Sequence, residues 1–152
     1  MSRIGVRTRV DQPVGAAEAL WYDPQRWASF VDGFHHVVKL EGDWPAVGAR
    51  VLWDSTPAGR GRVSERVVEY EPGGGQTLEV DDPRMRGTQR VEFVPRDPGA
   101  EVRLELDYQL KDANLLTPVV DLLFIRRALR DALRRTLDRF ARELAADHGP
   151  LR

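Results

Sequence analysis

A chain of 152 residues, 41% hydrophobic and 31% charged, has enough apolar material for one core and is expected to form a single domain over residues 1–152. A net charge of −1 supplies no basic field for nucleic acid or an anionic membrane surface, and the absence of cysteine excludes disulfide and thiolate chemistry. No apolar run reaches membrane-spanning length and the N-terminus lacks the apolar stretch of a signal peptide, so no membrane span and a cytoplasmic location are expected.

Along the chain, Ile4 to Val10 alternates apolar residues with Arg7 and Arg9, as an edge strand does, and Asp11-Gln12-Pro13 breaks it. Val14 to Tyr22 and Gln25 to Val31 read as short helices separated by Asp23-Pro24. Strands are expected at Phe34–Glu41, Ala49–Ser55, Gly61–Glu71, Thr77–Asp81, Arg86–Pro95 and Glu101–Leu110. Their separators are turn chemistry: Gly42-Asp43-Trp44-Pro45, Thr56-Pro57-Ala58-Gly59, Gly73-Gly74-Gly75, Asp82-Pro83 and Asp97-Pro98-Gly99.

Thr117 to His148 reads as one long amphipathic helix. At about 100° per residue, Leu122, Ile125, Leu129, Leu133, Leu137, Phe140 and Leu144 share an arc. Arg127, Asp131, Arg134, Arg135, Asp138 and Arg142 lie opposite, with Asp131–Arg135 and Asp138–Arg142 spaced for ion pairs one turn apart. Thr117-Pro118 is a start signal and Gly149-Pro150 a stop. Arg126 interrupts the apolar arc, either snorkelling outward along its stem or offering a cationic handle to whatever the arc covers. A run of strands followed by one long helix suggests a curved antiparallel sheet closed over by that helix, with a cavity between them.

Strand parity selects the side chains that face the helix. In the last strand Val102, Leu104, Leu106, Tyr108 and Leu110 share a face, and Gln89, Val91 and Phe93 do so in the strand before it. Val51 and Trp53 are expected inward, as are His36, Val38 and Leu40. The strand from Gly61 is ambiguous, because Val63, Glu65, Val67 and Glu69 balance Ser64, Arg66, Val68 and Tyr70. One continuous apolar space is expected, lined by Trp53, Val91, Phe93, Leu104, Leu106 and Tyr108 with Leu129 and Leu133 of the helix.

The order of elements, the Asp23-Pro24-Gln25-Arg26-Trp27 segment between the short helices and the strand ending Tyr70-Glu71-Pro72 resemble the START/Bet v1-like (SRPBCC, helix-grip) superfamily. Within it, the chain is similar to the bacterial polyketide cyclase/dehydrase-like group over nearly its whole length. The resemblance implies an α+β helix-grip fold, in which a seven-stranded curved antiparallel sheet wraps around the C-terminal helix and encloses an apolar cavity. Superfamily members include lipid and quinone carriers, hormone-binding proteins, co-chaperones and aromatase/cyclases, so the fold does not fix the function.

Val63-Ser64-Glu65-Arg66 is similar to a Ser-x-Arg motif of aromatase/cyclases, and the resemblance implies that Ser64 and Arg66, with Val68 and Tyr70, face the cavity. Trp27 matches a tryptophan of that group, while Phe34 stands where it has a cavity tyrosine, and Gly61 and Arg62 replace aromatic residues. A cavity arginine could hold an enolate or carboxylate. Aldol-type ring closure also needs a general acid/base, for which parity offers His36. His35-His36 is not a metal pair, since adjacent strand residues face opposite sides and no further ligands accompany them. Gly73-Gly74-Gly75 lacks the Lys-Ser/Thr of a phosphate-binding loop.

The expected function is therefore binding of a small hydrophobic or amphipathic molecule, lipid-like or polyketide-like, without metal or cofactor. A polyketide aromatase/cyclase is the alternative, and a regulatory interaction scaffold a third reading. A homodimer is compatible with the sequence, and nucleic acid is not an expected partner.

Overall fold

The computed structural model describes residues 2–57 and 59–149, so Ala58 of the Thr56–Gly59 turn and Pro150 of the helix stop lie outside the described residues. In chain order the elements are β1 (Ser2–Val10), α1 (Val14–Trp21), α2 (Trp27–Phe30), β2 (Phe34–Glu41), β3 (Arg50–Ser55), β4 (Arg62–Glu71), β5 (Gly75–Asp81), β6 (Met85–Pro95), β7 (Ala100–Leu110) and α3 (Val119–Asp147). The strands form one antiparallel seven-stranded sheet in the order β1-β7-β6-β5-β4-β3-β2, with β1 and β2 at its edges. This is the helix-grip arrangement: a sheet with α3 across its inner face and two short helices after β1.

Alternation predicts burial where a strand is regular. Val102, Leu104, Leu106 and Tyr108 of β7 are buried, as are Val91 and Phe93 of β6 and Val51 and Trp53 of β3. In β2, register shifts between Phe34 and His36 and between Val37 and Lys39 break the pleat. Val37 packs against the core, while Val38 and Leu40 are exposed, reversing the expected parity. The same irregularity brings the Nδ1 atoms of His35 and His36 to 3.0 Å, where a regular strand would separate them. Among the described residues no group of three His, Cys, Asp or Glu side chains gathers around a common point.

At its start, α3 departs from the expected cap. Pro118 is the N-cap residue, and the Thr117 hydroxyl instead accepts from Asn114 N–H at 2.9 Å. The expected ladder of ion pairs is also redirected. Arg135 turns from Asp131 to Asp32, donating from Nε at 3.0 Å and from Nη2 at 3.1 Å, and Asp138 lies 3.9 Å from Arg134. Arg139 donates to Asp32 at 3.1 Å as well, and Asp32 N–H donates to the Thr136 hydroxyl at 2.9 Å. Burial pushes the Asp32 carboxyl up, but the two arginines outweigh it and hold the group below the usual carboxylate range.

Two apolar clusters fill the space between helix and sheet. One joins α1, α2 and the C-terminal half of α3, where Leu137, Phe140 and Leu144 are fully buried among Trp21, Phe30, Val6, Val10 and Val102. Phe140 stands edge-on to both Trp21 and Phe30, each at 5.3 Å. The other gathers Ile4, Val67, Leu78, Val80, Met85, Leu106 and Tyr108, to which the helix contributes only the half-buried Leu129 and Leu133. Among the described residues no helix is long and apolar enough to cross a membrane.

Candidate functional site

A cavity of about 160 Å³ lies between the two clusters. Its floor is Trp53 of β3, Glu65 of β4, Gln76 and Leu78 of β5, Gln89 of β6 and Leu104 and Leu106 of β7. Leu129, Ala132, Leu133 and Thr136 of α3 roof it, and the turn Val31-Asp32-Gly33 with Phe34 closes one side. Trp27 and Trp44 are fixed as wall residues because their indole N–H groups donate to Trp21 O and Tyr22 O, both at 2.8 Å.

Arg60 and Gly59 of the β3–β4 loop, together with Leu129, border both this cavity and an adjoining groove of about 550 Å³. The groove runs between Asp82, Arg84 and Met85 on one side and Phe124, Ile125 and Ala128 on the other. Beyond it, Leu115, Leu116, Val119, Val120, Leu123 and Phe124 form an exposed apolar surface on the segment before α3 and its first turns. Arg60 is held at the junction by the buried Asp82, whose Oδ2 accepts from Nε at 2.8 Å while Oδ1 accepts from Arg84 N–H and Met85 N–H. The guanidinium lies 5.8 Å from the centre of the Trp53 ring, and its buried Nη2 has no hydrogen-bond partner among the described residues.

The strand whose parity was ambiguous turns Val63, Glu65 and Val67 inward. Residues paired across a ladder share a face, and Val63 pairs with the inward Trp53. Arg66 therefore points away from the cavity with its ladder partners Arg50 and Glu79, and donates to Glu79 at 2.8 Å on the exposed surface. Ser64 pairs with Leu52 and Asp81 and is likewise outward, as is Val68. The expectation that Ser64 and Arg66 face the ligand is thus corrected: a local tripeptide does not carry the phase of the pleat. A register shift after Val67 restores Tyr70 to the inner side, but against Tyr22 and a shallow depression near Phe93, outside the cavity.

Trp27, Phe34, Trp53, Gln89, Leu104, Leu106, Leu129 and Leu133 are brought together in the wall. Val91 and Phe93 lie in the first cluster and Tyr108 in the second, outside the lining of this cavity. His36 is outward and 3.6 Å from Asp54, so it cannot act on anything in the cavity. Arg126 is exposed over the β1 edge near Arg3 and Glu105, having snorkelled away from the arc it interrupts.

Sequence reasoning missed Glu65, Arg60, Gln76, Asp32 and Thr136. Glu65 follows from the pairing: once Trp53 is inward, the β3–β4 ladder that sets Asp54 opposite Arg62 puts Val63, and hence Glu65, on the same side. Glu65 Oε1 accepts from Trp53 Nε1 at 2.7 Å. Burial pushes the Glu65 carboxyl above its usual range, although the Arg60 charge and the Trp53 hydrogen bond both pull downward. The cavity is thus an apolar chamber with Glu65 and the amides of Gln76 and Gln89 on its floor, Asp32 and Thr136 at one side and the Arg60 guanidinium at its mouth, able to receive an apolar body and hydrogen-bond a polar group on it.

No curated relative matches the chain in sequence. Solved structures do match in fold. The di-domain aromatase/cyclase StfQ of the steffimycin biosynthetic pathway superposes with a TM-score of 0.76 at 19% identity, over 96% of this chain and 51% of that one. Protein MLL2253 from Mesorhizobium loti gives 0.72 at 17% identity, over 99% and 100% of the two chains. Norcoclaurine synthase from Thalictrum flavum, in complex with dopamine and hydroxybenzaldehyde, gives 0.69 at 12% identity, over 99% and 89%. At these identities the likeness is one of fold. The sequence profile described as polyketide cyclase/dehydrase and lipid transport matches residues 1–145, nearly the whole chain, and the protein belongs to that family.

Proposed function

We propose that the protein binds a small apolar or amphipathic molecule, lipid-like or polyketide-like, in the cavity beneath α3, and that it does so as a carrier without chemistry of its own. The observation that carries this reading is the unfilled space of about 160 Å³ in an otherwise close-packed interior. Concave, mostly apolar spaces with a few convergent polar groups are where small apolar molecules bind. The apolar surface beside the adjoining groove offers an apolar ligand a route of entry. A single domain acting in the cytoplasm belongs to the same reading.

Native mass spectrometry of the protein as purified, followed by solvent extraction, tests it directly. The expected result is retained small-molecule mass, or uptake of a fluorescent fatty acid by protein stripped of ligand. The reading is overturned if neither occurs.

A second reading, a polyketide aromatase/cyclase, is favoured by the half-buried Glu65 acid on the cavity floor, because ring closure needs an acid/base group facing the bound chain. On this chain that work would fall to Glu65 and Arg60, since Ser64, Arg66 and His36 point elsewhere. Incubation with a poly-β-ketone and detection of a cyclised, dehydrated product separates the two readings.

A further inference from the structure

The binding reading leaves open what kind of molecule fits, and the inference here rests on that reading. The strands turn an apolar face to the cavity except at Glu65, Gln76 and Gln89, on the neighbouring strands β4, β5 and β6. Gln76 is already committed, its Nε2 donating to Pro45 O at 3.0 Å. Glu65 is the carboxyl group among them, and its two oxygens are unequal. Oε1 accepts from Trp53 Nε1 at 2.7 Å, whereas Oε2 has no protein partner among the described residues.

Half-buried on the cavity floor, Glu65 binds its proton more tightly than a free carboxylate does, because desolvation outweighs the opposing charge of Arg60 and the Trp53 hydrogen bond. In a neutral acid the carbonyl oxygen is the better acceptor and the other oxygen carries the proton. The Trp53 bond marks Oε1 as the carbonyl, which leaves the hydroxyl at Oε2. We propose that Glu65 offers this hydroxyl to the cavity as a hydrogen-bond donor and so selects apolar ligands carrying a carbonyl oxygen over their hydrocarbon and amine counterparts.

The chamber is of a size that takes one aromatic ring with a short substituent, so three probes with one skeleton suffice: ethylbenzene, acetophenone and 1-phenylethylamine. Calorimetric titration of the full chain gives their relative affinities in wild type, Glu65→Leu and Glu65→Gln. The expected result is that the acetophenone-to-ethylbenzene affinity ratio falls about threefold to tenfold in Glu65→Leu, the worth of one neutral hydrogen bond. It should largely survive in Glu65→Gln, whose amide keeps an acceptor for Trp53 and a donor for the ligand.

If none of the probes binds, the donor assignment is overturned, while the binding reading is decided separately by retained mass and fatty-acid uptake. If ethylbenzene and acetophenone bind with a ratio that Glu65→Leu leaves unchanged, the cavity reading stands and the donor assignment is overturned. Preference for the amine overturns it too, because that requires an ionised carboxylate. Infrared difference spectra provide a measurement independent of ligand and of how well the leucine variant folds. A protonated-carboxyl band present in wild type and missing in Glu65→Gln is expected, and its absence from wild type sinks the proposal.

Discussion

From Leu137 to Leu144 the long helix is sealed against α1, α2 and the sheet, and its inward side chains have no accessible surface. From Val119 to Leu133 the same helix carries an equally apolar arc, yet Leu122, Ile125, Leu129 and Leu133 are only half-buried and Phe124 is 74% exposed. Both halves satisfy the same periodicity, so periodicity does not cause the difference. The cause lies in what faces each half. Trp21 and Phe30 fill the space under the C-terminal half, whereas among the described residues no helix intervenes between the N-terminal half and the sheet floor. Ion pairs reinforce the sealed half: Arg26, from the link between α1 and α2, donates to Glu143 and Asp147, each at 2.9 Å. The molecule thus pairs a packed anchor with an overhang, and the overhang is where a ligand would go.

The sharpest way to break this comparison is to truncate the anchor. Phe140→Ala removes a ring packed edge-on against two others and should cost about 3–5 kcal/mol. In the overhang, Leu133→Ala enlarges space that already exists, and roughly 1–2 kcal/mol is expected because the leucine has fewer contacts to lose. Urea denaturation of both variants measures this, and equal losses would mean that the cavity closes in solution.

Overfilling tests the same contrast from the other side. Ala17 is fully buried in the anchor, and Ala17→Leu should cost about 1–3 kcal/mol through overpacking. Ala132 lines the cavity, so Ala132→Leu should change stability by less than about 1 kcal/mol while weakening the binding of ethylbenzene or a fluorescent fatty acid. Calorimetry beside the denaturation curves separates the two effects. Retained binding in Ala132→Leu would move the ligand out of the chamber and into the adjoining groove.

How far the sequence reveals this arrangement depends on regularity. Strands β3, β6 and β7 and the arc of α3 follow strict periods, so their inward residues can be named without coordinates. Strand β2 escapes because two register shifts reverse its phase, and no turn residue marks them. In β4 each face carries both apolar and charged residues, so composition cannot orient it. A motif resemblance chose Ser64 and Arg66, yet the ladder to Trp53 chooses Glu65. Pairing is a non-local property, and a three-residue motif does not contain it. The cavity itself is legible only as a space between a periodic helix and a periodic sheet. Its polar lining draws Glu65 from the ambiguous β4, Gln76 and Gln89 from β5 and β6, and Arg60 from a loop held by its contact with Asp82.

Two carboxyls respond to pH in opposite senses. Glu65 binds its proton more tightly folded than unfolded, so its contribution to stability is complete below the unfolded value and declines as pH rises through the folded one. Asp32, depressed by Arg135 and Arg139, contributes above its unfolded value and loses that contribution as pH falls through the folded one. Relative to wild type, Glu65→Gln should therefore gain stability with rising pH, and Asp32→Asn should gain with falling pH into the acid range. Thermal unfolding from acid to mildly alkaline pH checks both signs. A flat difference for Glu65→Gln would mean that the acid is solvated through the mouth of the cavity.

The smallest effect is expected at Arg66, the residue on which the motif resemblance placed most weight. Its partner Glu79 is as exposed as the arginine itself, and an exposed pair of this kind contributes between nothing and about 1 kcal/mol. Arg66→Ala should shift stability by no more than about 0.5 kcal/mol, similar to Arg142→Ala on the solvated face of α3. Because the guanidinium lies on the outer face of the sheet, ligand affinity should not change, for a fatty acid or for its methyl ester. Fluorescence titration of the acid and the ester against wild type and Arg66→Ala measures this. A selective loss for the acid would require Arg66 to reach an anion in the cavity, which the pairing of β4 with β3 forbids unless that hairpin slips by one residue.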